Sequence, residues 1–254
     1  MRFYSQLMPV RALTFDLDDT LYDNRPVISR VEQAVILWLS KTLPSHLTLD
    51  VNSWLRLQQQ LAVIDPMLKH NSREWRRKTL KTGFMQLGFR LKDAETLAQQ
   101  GLDVAIEMRN RIDIPDETHR VLKTLSAHFP LIALTNGDVD VDKIGLAQYF
   151  VEVYQAGRDG LSKPEPDLFN LAVQKLQLPA ENILHVGDHL TTDVHGAKLC
   201  GLQTCWFNDQ NKKISHDLKA ITLPDVEITL LSQLLEIDGI KNLAPNSISK
   251  CDTL

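Results

Sequence analysis

The segment Ala12-Leu13-Thr14-Phe15-Asp16-Leu17-Asp18-Asp19-Thr20-Leu21 constrains this chain more than any other. An apolar run stops abruptly in a cluster of carboxylates. Residues 12 to 15 are too few for a helix and read as a buried strand. In an open α/β sheet, reactive groups gather just beyond the carboxyl ends of the strands. Asp16 and Asp18 land at that edge, two residues apart. Carboxylates held so close repel one another unless a cation or a shared proton relieves them. The segment therefore asks for a metal and offers a nucleophile beside an acid. Its plain alternative is a strand running into an Asp-rich turn.

The rest of the chain supplies a matching scaffold. From about Val27 to Arg111 the pattern is helical: Val31, Val35, Ile36 and Leu39 recur at helix spacing, as do Trp54, Leu57 and Leu61, then Trp75, Leu80, Phe84 and Leu87. After Pro115, helices alternate with short apolar runs. Glu117 to Ala127 reads as a helix, and Leu131 to Leu134 as a strand ending at Thr135-Asn136-Gly137. A short strand follows at Val151 to Tyr154, then a helix from Asp167 to Leu176. Ile183 to Val186 reads as a strand ending at Gly187-Asp188, Thr192 to Cys200 as a helix closed by Gly201, and Gln203 to Phe207 as a last strand. This rhythm implies an α/β fold: a doubly wound, Rossmann-like parallel sheet with helices on both faces. The first strand belongs to a sheet that resumes near residue 130, so an all-helical module is inserted between them. The expected division is a core of 10–22 and 114–238, a helical cap of 23–113, and a loose polar tail of 239–254.

Composition narrows the partners. The net charge of −4 argues against nucleic acid, which needs concentrated positive charge. No stretch approaches the roughly 20 apolar residues that span a bilayer, and the start, Met1-Arg2-Phe3-Tyr4-Ser5-Gln6, does not read as a signal peptide. Cys200, Cys205 and Cys251 form no C-x-x-C pair, so the expectation is a reduced, cytoplasmic protein without membrane or nucleic-acid partners. The oligomeric state is open.

Three apolar strands end in reactive residues: Asp16 and Asp18, Thr135 and Asn136, and Asp188. A fourth element, Leu161-Ser162-Lys163-Pro164, precedes a helix. A phosphoryl group needs positive charge, neutral donors, a metal and an in-line nucleophile. Asp16 and Asp188 are oxygen ligands suited to Mg²⁺, and Lys163 supplies a fixed cation. Thr135 offers a hydroxyl and Asn136 an amide as phosphate donors. Asp16 would attack phosphorus, and Asp18 would protonate the leaving oxygen and then activate water. Taken singly, each has a plainer role: Lys163 as a surface residue, Thr135-Asn136-Gly137 as a turn, Asp193 as an acid in a helix's first turn. His185, His189 and His195 straddle a strand, a loop and a helix, which disfavours a zinc set.

In this order the segments resemble the haloacid dehalogenase-like hydrolase superfamily, phosphatase branch. Its D-x-D-x-T motif stands as Asp16-Leu17-Asp18-Asp19-Thr20, and its strand ending in Ser or Thr as Leu134-Thr135-Asn136-Gly137. Its lysine is Lys163, and its G-D-x-x-x-x-D is Gly187-Asp188-His189-Leu190-Thr191-Thr192-Asp193. The resemblance, over roughly residues 10 to 210, implies Mg²⁺ on the Asp16 carboxylate, the Asp18 backbone carbonyl and the Asp188 carboxylate. It places Asp193 just behind them, orienting Lys163 or a metal-bound water. His189 departs from the small polar residue common in relatives, and its imidazole could hydrogen-bond near the metal. The helical insertion matches the cap that closes over small substrates. The subgroup look implies a small phosphorylated metabolite, either flavin mononucleotide or the phosphorylated ribitylaminouracil precursor of riboflavin. Other readings are a sugar-phosphate phosphatase, a phosphomutase, a dehalogenase (which does not need Asp18), or a non-catalytic binding module.

Within the insertion, His70-Asn71-Ser72-Arg73-Glu74-Trp75-Arg76-Arg77-Lys78 is a basic run with an aromatic. It reads either as a substrate contact or as the wet face of a helix. Tyr22, Asp23 and Asn24 line the entrance or form a hinge, and Arg109 and Arg111 lie near the return linker.

Overall fold

The computed structural model describes residues 1–44, 47, 51–216 and 221–240. In chain order its strands are β1 (Arg2–Phe3), β2 (Ala12–Phe15), β3 (Leu131–Thr135), β4 (Glu152–Gln155), β5 (Ile183–Gly187), β6 (Gln203–Phe207) and β7 (Val226–Ile228). Its helices are α1 (Arg25–Thr42), α2 (Val51–Ile64), α3 (Ser72–Gln86), α4 (Leu91–Arg109), α5 (Asp116–Ser126), α6 (Asp167–Leu176) and α7 (Gly196–Leu199).

One sheet of order β1-β7-β6-β5-β2-β3-β4 holds every strand. Alternation along β2 explains why it sits centrally. Leu13 and Phe15 face a cluster with Val121, Leu122 and Leu125 of α5, whereas Ala12 faces Leu168, Phe169 and Ala172 of α6. With both faces covered, β2 has no solvent side, and each large side chain contributes about 1.5–3 kcal/mol through burial. Register then fixes the site: Phe15 lies level with Ala133 of β3 and Val186 of β5. The residues just beyond these strands therefore emerge together.

The sheet departs from a purely parallel one. β1 pairs antiparallel with β7, so the sheet is mixed at one edge. Two and three residues are too short to show a period, which is why the sequence pattern misses both strands. The core boundaries move accordingly. Arg2–Phe3 belongs to the sheet, and Ile240, two residues past the expected limit, is buried in the same cluster as Ile237. Residues 241–254, including Cys251, fall outside the described residues. The helix expected from Thr192 begins instead as a π-helical turn, Leu190–His195, running into α7.

Helices α1 to α4 build their own core. Val31, Val35 and Leu39 of α1 meet Leu80 and Phe84 of α3 and Ala94, Ala98 and Ala105 of α4. Small residues at positions 94, 98, 101 and 105 line one face of α4 and let neighbours approach closely. At Gly101 a Cβ would lie 2.6 Å from the Trp38 ring and 3.0 Å from Leu80. The two connections between this bundle and the sheet run side by side. The Thr118 hydroxyl, just after the return, donates to the Leu21 carbonyl, just before the departure, at 2.8 Å.

Gly101→Ala is expected to cost about 1–3 kcal/mol by overpacking, because the rigid indole of Trp38 cannot step aside. Urea unfolding followed by tryptophan fluorescence measures it.

Candidate active site

Asp16 follows β2 directly, and its carboxylate meets Lys163 Nζ at 2.6 Å. The same ammonium reaches Asp193 Oδ1 at 2.7 Å. All three groups are buried, with Lys163 only 2% exposed. Removing one partner of such an assembly leaves an uncompensated charge in low dielectric. Burial disfavours the ammonium, but the two carboxylates outweigh it and hold Lys163 charged, above the ordinary lysine range. Asp193 goes the other way: Lys163 and His185 overcome its burial and hold it well below the ordinary carboxylate range.

Asp193 is held from several sides. It takes the His189 backbone N–H at 3.0 Å and the Thr192 hydroxyl at 3.4 Å. His185 Nε2 lies 3.3 Å from it, and His185 Nδ1 lies 2.8 Å from the Thr14 hydroxyl. Burial lowers the His185 pKa, so the ring is neutral; Nε2–H donates to Asp193 and Thr14 donates to Nδ1. The strand histidine is thus a support for Asp193. His195 bonds the Thr222 hydroxyl at 2.7 Å.

Asp188 lies beyond β5, its carbonyl fixed by the Trp206 indole N–H at 2.7 Å. Burial first, then Asp193 and Asp19, pushes its carboxyl up to about 7. Burial likewise raises Asp16, with Lys163 opposing. Oxygens of Asp16, Asp188 and Asp193 lie within 4.8 Å of one another. Both Asp193 oxygens are spent on Lys163, His185, His189 and Thr192, whereas Asp16 Oδ2 meets only the Thr20 hydroxyl at 3.4 Å, so Asp16 and Asp188 are the pair that can face a cation. An all-oxygen donor set with raised, cation-starved carboxyls fits a hard divalent ion.

Asn136, His189 and Asp18 have partners that the sequence does not show. The Asn136 side chain clamps the Lys163 backbone, accepting from its N–H at 2.7 Å and donating to its carbonyl at 2.9 Å. Its amide therefore places the lysine, with Oδ1 and one Nδ2 proton spent on that loop. The His189 imidazole turns onto its own helical turn, where Nδ1 accepts from the Thr191 and Thr192 N–H groups at 3.3 and 3.2 Å. It caps a helix and does not point at the acidic cluster. The Asp18 carboxylate is gripped by Arg109 Nη2 at 2.5 and 2.7 Å and by the Tyr22 hydroxyl at 2.5 Å. Thr135 stays at the site. Its Oγ accepts from the Gly137 N–H at 2.9 Å and keeps its own proton to donate. Gly137 is needed there, because a Cβ would meet Asp18 Oδ2 at 2.4 Å.

Arg109, left undecided by position alone, is therefore part of the site. It is 4% exposed, also pairs with Asp138 at 3.4 Å, and its buried Nη1 has no hydrogen-bond partner among the described residues. Asp138 carried no sequence signal. Tyr22 did, through its i+4 spacing from Asp18. The basic run meets neither expectation fully. Arg73 reaches the Asp138 carbonyl at 2.7 Å, while Arg77 and Lys78 pair with Glu74 and Asp65.

Asp193→Asn is expected to cost about 1–3 kcal/mol near neutral pH, since Lys163 keeps only Asp16 opposite its charge and the His185, His189 and Thr192 donors lose an ionised acceptor. Asp193 titrates lower in the fold than its ordinary value of 3.8. Its contribution is present above that value and fades as pH falls through the folded one. Urea unfolding of both proteins across pH 3 to 8 should show the gap narrowing toward acid. Lys163→Met should add less to the Asn variant than it costs alone.

Comparison with known proteins identifies the family. Residues 10–201 match the family model of the haloacid dehalogenase-like hydrolases. The chain is 39% identical over 237 residues to the 5-amino-6-(5-phospho-D-ribitylamino)uracil phosphatase YigB of Escherichia coli K12, covering 93% of this chain and 100% of that protein. The crystal structure of a 2-haloacid dehalogenase from Pseudomonas syringae superposes with a TM-score of 0.84 at 34% identity, over 92% of this chain and 100% of the other. The HAD-hydrolase YfnB from Bacillus subtilis, bound to magnesium, gives 0.63 at 25% identity, over 90% and 98%. The chain belongs to the haloacid dehalogenase-like hydrolase family.

Proposed function

We propose that this hydrolase is a Mg²⁺-dependent phosphatase that cleaves a small phosphorylated metabolite through an aspartyl-phosphate on Asp16. The observation that carries this reading is the convergence of Asp16, Lys163 and Asp188 at one sheet edge, with Asp18 two residues on. Asp16 presents a carboxylate oxygen in line with the phosphorus. Lys163 and the Thr135 hydroxyl offset charge on the transferring oxygens. Asp18 protonates the leaving oxygen and then takes a proton from the water that clears Asp16. Asp16, the Asp18 carbonyl and Asp188 would hold the metal, which when bound neutralises phosphate charge. Helices α1 to α4 act as the cap, and the unpartnered Nη1 of Arg109 suits a leaving-group oxygen at the seam.

YigB's full-length match supports the phosphorylated ribitylaminouracil as substrate, with flavin mononucleotide as its close analogue. The dehalogenase reading draws on the 2-haloacid dehalogenase structure. Asp18 favours the phosphatase, because halide leaves without a proton and needs no such acid.

A panel of phosphate esters and (S)-2-haloacids, assayed with Mg²⁺, tests the proposal. The expected result is fastest phosphate release from the ribitylaminouracil and flavin esters and no halide release. Strong turnover of other esters with neither of these would remove the substrate. Asp16→Asn is expected to lower kcat by about 10³-fold or more with the fold retained by circular dichroism.

Metal dependence has a defined pH sense. Asp188 is protonated below about 7, so proton and cation compete there. Calorimetry should show Mg²⁺ affinity falling by up to about tenfold per pH unit below 7. In chelator, Asp188 contributes stability that is lost as pH rises from the ordinary carboxylate range through about 7. Mg²⁺ should raise Tm most above that point.

A further inference from the structure

The turn between α2 and α3 carries the first part of the basic run onto two loops of the core. His70 Nδ1 lies 2.8 Å from the Ser162 hydroxyl and accepts the Ser162 backbone N–H at 3.1 Å. A ring nitrogen that accepts a backbone N–H carries no proton, so the hydroxyl donates to it as well. Asn71 Nδ2 donates to the Gly157 carbonyl at 3.3 Å. The approach is close enough that a Cβ on Gly157 would lie 2.6 Å from Asn71 Cβ and 2.8 Å from the His70 carbonyl oxygen. Gly157 also adopts a φ of +77°, which disfavours any side chain there.

Ser162 is the residue before Lys163. Asn136 fixes the Lys163 backbone from the core side, and His70 fixes its neighbour from the cap side. We propose that His70 is a positioning residue for hydrolysis: cap closure delivers its imidazole to Ser162 and so seats the loop that carries Lys163. The inference rests on the reading of Asp16 and Lys163 as the reactive pair. Lifting the cap would return both Ser162 groups to water and release the loop on its outer side. Admission of substrate and alignment of the lysine thereby become one event, and the site is complete only when closed.

The test compares His70→Ala with His70→Asn in the full chain. Asn places Oδ1 where the imidazole places Nδ1, so it keeps the acceptor. Two readouts are used: turnover of p-nitrophenyl phosphate and flavin mononucleotide with Mg²⁺, and amide hydrogen exchange over residues 157–163. His70→Ala is expected to speed exchange there about tenfold and to lower kcat about tenfold, with KM changed less than about twofold. His70→Asn should restore both. Arg73→Ala, which cuts the cap's hold on Asp138, should leave exchange at 157–163 unchanged. Unaltered exchange in His70→Ala overturns the proposal. So does altered exchange with full kcat, failure of Asn to restore, or equal loosening by Arg73→Ala. If the unsubstituted protein hydrolyses no phosphate ester, the phosphatase reading fails, and the exchange comparison alone decides whether His70 seats the loop.

Discussion

A single ammonium organises this molecule. Lys163 is buried with its charge intact because Asp16, at the end of β2, and Asp193, in the turn after β5, both meet it. Neither carboxylate could be buried there without it, and it could not be buried without them. The arrangement leaves one more negative charge than positive before Asp188 is counted. Burial first, then Asp193 and Asp19, raises the Asp188 carboxyl beside it. That surplus of carboxylate is a property of the fold, set before any substrate arrives.

The elements that hold this cluster differ in kind. Asp16 and Asp188 owe their places to ladder register between β2 and β5. Lys163 comes from a loop, and loops need local restraint to be accurate. Here Asn136 supplies it through two backbone hydrogen bonds. Asp193 sits in a π-helical turn whose first N–H groups are satisfied by His189. Lys163 and the turn that carries Asp193 thus each have a neighbour whose own side chain is spent on holding them.

The core strands, the helical insertion and the acidic edge were legible because each has a strong local signal: a short unbroken apolar run, helix spacing, or carboxylates packed into a short span. β1 and β7 were not, since a two- or three-residue strand is defined by its partner and not by its own pattern. Side-chain allegiance was the other blind spot. Asn136 and His189 carry groups able to face a phosphate or a metal, and residue type alone cannot show that backbone N–H groups claim them first. Arg109 was ambiguous for the opposite reason. It lies 91 positions from Asp18, and only the bundle's return brings the two together.

That return has an implication for how the two parts can move and be exchanged. The chain leaves the sheet after Leu21 and re-enters before Thr118, and those crossings are joined by one hydrogen bond. Two strands of backbone fastened at adjacent points define an axle. Rotation about it would leave the anchors in place but must part His70 from Ser162 and Arg73 from Asp138. Such an attachment also makes the insertion a cassette: a different bundle could be spliced across the same pair of anchors without disturbing any rung of the ladder beneath.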